Sequence, residues 1–186
     1  MKVMELRNDN SAYRKRVYTL VLTAMLITMA TALHVVEGFL PPLPVAGAKL
    51  GLANIITVAA LILLGPRLAL SVSVTRSVLA ALIGIGFGVG FVMSMSGALL
   101  SWAVMAALLR FWPQGFSLVG LSVAGAVGHN VAQLAVASYV LSHIGTMALL
   151  PWLLGLALPT GAMVGLAAGF LVAAVRKTPF ARGLNK

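Results

Sequence analysis

Long apolar runs follow one another through this chain from Val17 to Val175, and only five charged side chains interrupt them. A run of about 20 apolar residues is the length of a helix that crosses the hydrocarbon core of a bilayer. Backbone in lipid must satisfy its hydrogen bonds internally, which leaves helices or closed barrels as spanning structures. With 61% hydrophobic and 9% charged residues, a soluble domain could not hide so much apolar surface. We therefore predict an all-α integral membrane protein.

The breaks between the apolar runs predict a compact bundle of about six transmembrane helices. The second and third spans are short, and we expect them to be tilted or partly re-entrant. Three prolines forbid a regular helix in a loop at 37–48, and Pro159 is expected to kink the last span. The alternating glycines at 84–90 predict a close-packed loop or a re-entrant corner. The predicted spans are 17–36, 49–64, 68–85, 91–109, 117–141 and 147–175.

Basic residues cluster at the two ends of the chain and in two short loops, at Arg67 and Arg110. These places hold eleven of the 13 Lys and Arg residues, and all become cytoplasmic if the N-terminus is cytoplasmic, as the positive-inside rule requires. We predict that the protein lies in a bacterial inner (plasma) membrane, with both termini on the cytoplasmic side. The expected segments are a cytoplasmic N-terminal segment at 1–16, a six-helix transmembrane domain at 17–175 and a basic tail at 176–186.

The basic residues allow two other interpretations. A nucleic-acid-binding protein would account for a net charge of +10, but no basic module with interleaved aromatic residues is present. A cleavable signal peptide would place basic residues before an apolar run and a small-residue site such as Ala30-Thr31-Ala32. The first run is long for a signal peptide, and further spans follow it.

Polar side chains inside the spans require a reason, because a buried arginine costs at least about 2.5 kcal/mol on insertion scales. Arg76 lies near the middle of the third span, and Glu37 is the one acidic residue near the membrane. We predict that Lys49 and Arg76 meet an anionic group of a ligand, with Glu37 and the Pro-rich loop as a lid. A structural hydrogen-bond network is the alternative. The predicted binding residues are Glu37, Lys49, Asn54, Arg76, Ser94, His129, Asn130 and Gln133.

Small residues form two rows at every fourth position. Such a row lets another helix approach closely, either inside the bundle or in a partner subunit. The row on the sixth span is Ala157, Gly161, Gly165, Gly169 and Ala173, and the weaker row on the first is Ala24, Thr28 and Ala32.

The sequence lacks the usual catalytic residues. Asp9 is the single aspartate, so neither paired carboxylates for acid–base catalysis nor an Asp-rich segment for Mg²⁺ exists. There is no cysteine, no second histidine at metal-ligand spacing from His129, and no Walker A motif. We therefore expect neither an autonomous enzyme nor a bound metal or cofactor.

Four segments together resemble the Gx transporter family, which is also labelled heptaprenyl diphosphate synthase component I. They are the block at 40–54, Arg76, the block at 95–101 and Gly-Ala-Val-Gly-His-Asn-Val-Ala-Gln at 125–133. The resemblance covers about 17–175. It implies a fold similar to the S components of energy-coupling-factor transporters, which bind a vitamin or similar molecule on the outer side.

In S components, delivery is by toppling in the membrane, driven by a separate ATPase module, and alanines on the first helix contact the partner. The corresponding row here, Ala24, Thr28 and Ala32, is interrupted by a threonine. Two hypotheses follow. The first is the substrate-binding subunit of such a transporter, taking an anionic, vitamin- or cofactor-like molecule. The second is a non-catalytic membrane accessory subunit of a polyprenyl (heptaprenyl) diphosphate synthase or a redox complex, in which polar residues only connect helices.

Overall fold

The computed structural model describes residues 2–39, 51–111, 115–142 and 144–178. These residues form six α-helices and contain no strand, which confirms the predicted all-α fold. A π-helical turn, Ala81–Ile85, follows α3, and a 3₁₀ segment, Ile144–Leu149, precedes α6. The helices are α1 (Lys2–Phe39), α2 (Leu52–Leu64), α3 (Pro66–Ala80), α4 (Val89–Phe111), α5 (Leu118–Val140) and α6 (Leu150–Lys177).

Five helical segments are long and apolar enough to cross a membrane, so the chain is a multi-pass membrane protein by length and composition. The exception is α2, whose 13 residues extend about 20 Å, less than the roughly 30 Å of a hydrocarbon core. This agrees with the prediction that the second span is short. Pro159, which is expected to kink the last span, lies inside α6, and the helix does not end there. The long segments are Tyr13–Phe39, Pro66–Gly84, Val89–Phe111, Leu118–Val140 and Gly145–Lys177.

The first helix extends beyond the predicted membrane span, 17–36, at both ends. It runs without a break from Lys2 to Phe39, so no change of secondary structure marks the predicted boundary at residue 16. Glu37 therefore lies in the last turn of α1 rather than in the loop. The physical reason is that no proline occurs before Pro41, and the single glycine there, Gly38, does not end the helix. The rest of the predicted Pro-rich loop lies outside the described residues.

Of the two predictions for the alternating glycines, a close-packed loop or a re-entrant corner, the close packing is wrong. A Cβ atom built on Gly84, Gly86, Gly88 or Gly90 meets nothing within 4 Å. Conformation explains one of these glycines, since Gly86 has a φ of 71° and ends the π-helical turn. Gly90 lies within α4.

Close helix contacts occur instead on both sides of α5. A Cβ on Gly161 or Gly165 of α6 would lie 2.7 Å from the Cα atom of Val123 or Val119, so the two backbones almost touch. The small-residue row of α6 thus serves packing inside the bundle. On its other side, α5 packs against α4, where a Cβ on Gly125 would lie 2.7 Å from the Met105 sulfur.

The helices alternate in direction along the chain, so the C-terminal parts of some helices and the N-terminal parts of others lie at the same end of the bundle. The C-terminal parts of α1, α3 and α5 and the N-terminal parts of α2, α4 and α6 meet there, as contacts such as Arg76 to Asn54 and Asn130 to Leu153 show. We call this end the polar end. The apolar core, which includes Leu26, Ile56 and Leu121, adjoins it.

Candidate functional site

Arg76 lies at the centre of the polar end. Its side chain is only 2% exposed, and the α3 backbone aims it between α1 and α2. One guanidinium nitrogen donates to Asn54 Oδ1 at 3.1 Å, and another lies 3.3 Å from His34 Nδ1. Among the described residues, Nε has no hydrogen-bond partner. The partners are a neutral amide and an imidazole, so side chains rather than helix carbonyls bond to this arginine.

His34 extends the cluster to α4. Its Nε2 lies 3.3 Å from the Ser94 hydroxyl, and both side chains are buried. Because an arginine can only donate, Nδ1 must accept from Arg76, and Nε2 then carries the proton and donates to Ser94. A neutral imidazole therefore connects Arg76 to Ser94. We call His34, Asn54, Arg76 and Ser94 the Arg76 cluster; it joins four helices.

Glu37 lies near this cluster but bonds elsewhere. Its Oε1 accepts the backbone N–H of Gly51 at 2.5 Å, which links the end of α1 to the start of α2. The carboxylate also attracts the Arg76 guanidinium electrostatically. Gly51 adopts a left-handed conformation, φ 75°, before α2 begins. Lys49 and the expected lid lie outside the described residues.

The three predicted residues of α5 have different surroundings. The His129 ring lies against Gly97 of α4, where a Cβ would come within 2.8 Å of the ring. Asn130 donates from Nδ2 to the Leu153 carbonyl of α6 at 2.9 Å. Gln133 is buried and lines a separate cavity. The structure therefore does not bring all the predicted residues into one site.

A small cavity joins part of the predicted set. Asn54, His129 and Asn130 line it, and its volume of about 20 Å³ is room for about one water molecule. Ser101 and Ser122 also line it, and neither hydroxyl has a partner among the described residues. A larger ligand could enter only if α2, α4 and α5 move apart.

Sequence reasoning missed His34, Ser101 and Ser122. A signal for His34 exists, because it is a titratable residue within the first apolar run and lies one turn before Glu37. Serines are common in membrane helices as helix–helix contacts, and nothing in the sequence distinguishes Ser101 and Ser122 from them.

The arrangement is suited to binding rather than to catalysis. The described residues contain no group of three or more His, Cys, Asp or Glu side chains that could hold a metal ion. The Arg76 cluster presents a buried cation whose hydrogen-bond partners carry no charge. An anionic group is the natural complement of such a site.

The sequence model of a family described as heptaprenyl diphosphate synthase component I matches residues 26–171, a stretch that contains every residue of the Arg76 cluster. No curated protein and no solved structure matches the chain. A component is one subunit of a complex, in agreement with the prediction that this chain is not an enzyme on its own and has a protein partner.

Proposed function

This chain belongs to the heptaprenyl diphosphate synthase component I family, and we propose that it is a small-molecule-binding membrane subunit of a transporter of the energy-coupling-factor type. Its ligand is an anionic, vitamin- or cofactor-like molecule. The observation that carries this proposal is the Arg76 cluster, a buried cation held by the neutral side chains of His34 and Asn54, with Ser94 bonded to His34 behind them.

The cluster lacks negative charge. Burying an ionised side chain is costly unless an opposite charge and hydrogen bonds compensate for its lost hydration. Glu37 attracts Arg76, but its Oε1 already accepts from Gly51. A phosphate or carboxylate group at Arg76 would provide the missing charge and an acceptor for Nε. The adjoining cavity offers Asn54, His129 and Asn130 for the polar edges of the same ligand.

A partner must supply the energy, because the sequence has no Walker A motif. The row Ala24, Thr28 and Ala32 is exposed on α1, on the side opposite the buried Leu22 and Leu26. Thr28 bonds its hydroxyl to the Ala24 carbonyl at 3.0 Å, so the interruption leaves no unsatisfied hydroxyl on this face. We assign the row as the docking surface for a membrane partner that carries the ATPase module.

The proposal includes the orientation of the chain. Both termini lie in the cytoplasm of a bacterial cell and the polar end faces outward across the plasma membrane, as the charge distribution predicts. The segments at 1–16 and 176–186 then provide basic residues for the inner membrane surface, and 17–175 forms the bundle.

The family description favours a second candidate, a non-catalytic membrane subunit of a polyprenyl diphosphate synthase. A diphosphate would suit Arg76 as well as the phosphate or carboxylate of a vitamin. The candidates differ in the partner, which is an ATPase module in the first and a soluble synthase subunit in the second.

Native mass spectrometry of the full chain, purified from its own species, tests the proposal. We expect the wild type and Arg67→Gln, an exposed control on α3, to retain an anionic small molecule in stoichiometric amount. Arg76→Gln should lose it. A wild type without such a molecule, or an Arg76→Gln variant that keeps it, would contradict the binding site. A polyprenyl diphosphate as the released molecule would select the second candidate.

A further inference from the structure

A second and larger cavity lies at the polar end, between α4, α5 and the start of α6. Its volume is about 220 Å³, whereas a cavity of roughly 150 Å³ is enough to bind benzene. Apart from Gln133 and Thr146, its walls are apolar. The apolar side chains that line it include Val89, Met93, Leu134, Ala137, Leu149 and Leu153.

Gln133 gives this cavity a specific chemistry. Its side chain is 3% exposed and lines the cavity. An amide at the wall of an apolar cavity has few neighbouring groups that can replace its hydration, so a hydrogen-bonding ligand there would be favourable. Its O and NH₂ groups can accept and donate. The feature that needs explanation is therefore a polar amide at the wall of an apolar cavity.

The cavity is distinct from the Arg76 cluster and from the small polar cavity. Both cavities border the same α4–α5 contact, and α4 presents residues to them at every fourth position. Val89 and Met93 line the large cavity, and Ser101 and Met105 line the small one. Gly97, halfway between, holds the His129 ring. The His129–Gly97 contact thus separates the two spaces.

We propose that the large cavity binds an apolar small molecule, or the apolar part of one, that carries a single uncharged hydrogen-bonding group, a hydroxyl or a carbonyl, at Gln133. The volume fits a ring or branched chain somewhat larger than benzene. A charged group has no counter-ion there, since no Lys, Arg, Asp or Glu lines the cavity. A lipid acyl chain would fill the space but would offer no hydrogen bond to the Gln133 amide.

Two matched probes, fluorobenzene and 4-fluorophenol, test this site by ¹⁹F NMR on the purified full chain in detergent. The probes differ by one hydroxyl. We expect the wild type to bind 4-fluorophenol about fivefold more tightly, the usual net effect of one hydrogen bond. Gln133→Met keeps the length of the side chain without its amide, so this variant should bind fluorobenzene and lose the preference.

Two further variants control for the position of the probes. Ala137→Leu fills the cavity and should abolish binding of both probes, while Ala135→Leu, on the exposed face of the same helix, should bind both as the wild type does. Arg76→Gln should also keep the preference for 4-fluorophenol, which separates this site from the proposed anion site. Size exclusion and melting temperature confirm folding. If Ala137→Leu does not fold, Gln133→Met alone decides.

Three results would overturn the proposal. They are equal binding of the two probes by the wild type, a preference that survives in Gln133→Met, and a folded Ala137→Leu variant that binds like the wild type. A phospholipid that co-purifies with the wild type and is lost in Ala137→Leu, together with no preference for the phenol, would identify the occupant as a lipid chain and equally contradict it.

Discussion

Asn54 is the residue that connects the two parts of the proposed anion site. Its Oδ1 accepts from Arg76 at 3.1 Å, and the same side chain lines the small cavity. It belongs to the short helix α2, which begins beside the Glu37–Gly51 contact. A movement of α2 would therefore change the surroundings of Arg76 and the size of the cavity together.

In the Asn54→Asp variant, the new carboxylate should take the place of the ligand's anionic group beside Arg76. The new carboxylate has nearly the shape of the amide and places a negative charge beside Arg76, so the cation no longer needs an external anion. We expect a melting temperature equal to or above that of the wild type and no bound anion in native mass spectrometry. Asn54→Leu is the matched control, and it should lower stability by about 1.5–3 kcal/mol, because it removes a hydrogen bond to a charged group.

The outcome that would contradict this assignment is an Asn54→Asp variant that retains the anionic ligand at wild-type occupancy. Arg76 would then have a charge partner inside the protein, and the ligand would have to bind elsewhere. A loss of ligand from Asn54→Leu at full stability would show that the amide contacts the ligand itself.

The two small-residue rows show how an identical pattern serves different purposes on different elements. The row of α6 is internal, since Gly161 and Gly165 press against the α5 backbone. The row of α1 is exposed. Periodicity identifies a flat helix face, but the face's position relative to the bundle depends on contacts with other helices, which the sequence of one helix does not contain.

Bulky substitutions on the α1 row should break the partner complex without harming the bundle. Ala24→Phe with Ala32→Phe adds volume only to an exposed face, so ligand occupancy and melting temperature should stay as in the wild type. Co-purification of the membrane partner should be lost. Leu158→Phe on α6, also exposed, is the control and should keep the partner. If the α1 double variant still co-purifies with the partner, α1 is not part of the interface.

Much of the fold follows from the sequence at the level of elements. Apolar length predicts α4, α5 and α6, Pro66 begins α3, and Ser117 caps α5 by accepting from the Gly120 N–H. Helix α1 continues into the polar N-terminal segment, because nothing in that segment breaks a helix. Glycine permits either a close contact or an unusual backbone conformation, and the sequence does not distinguish the two; at Gly86 the reason is conformational.

The candidate site could be predicted only in part, because it depends on which helices are neighbours. Arg76 and Asn54 form a hydrogen bond. Because burying polar side chains in a membrane costs free energy, such side chains are expected to find partners. His129 and Gln133 share a face of α5 by their spacing, yet they line different cavities. The His129–Gly97 contact that divides them involves α4, and helical periodicity on α5 carries no information about it.

At the scale of the whole molecule, the direction of the bundle decides from which side a ligand is taken. The Arg76 cluster and the Gln133 cavity lie at the polar end, opposite the N-terminal end of α1. The basic residues favour the proposed cytoplasmic N-terminus, and in that orientation both sites would lie on the outer side. A transporter subunit oriented in this way captures its ligand from outside the cell.

Cysteine labelling across α5 tests this orientation, and the chain is well suited to it because it contains no cysteine. Phe116 and Ser142 are exposed and flank α5 on opposite ends. In intact cells, a membrane-impermeant maleimide should label Ser142→Cys, whereas Phe116→Cys should react only after permeabilisation. The reverse pattern would place the polar end in the cytoplasm. Uptake from outside would then be contradicted, while a subunit that receives an anionic product from a cytoplasmic enzyme would be favoured.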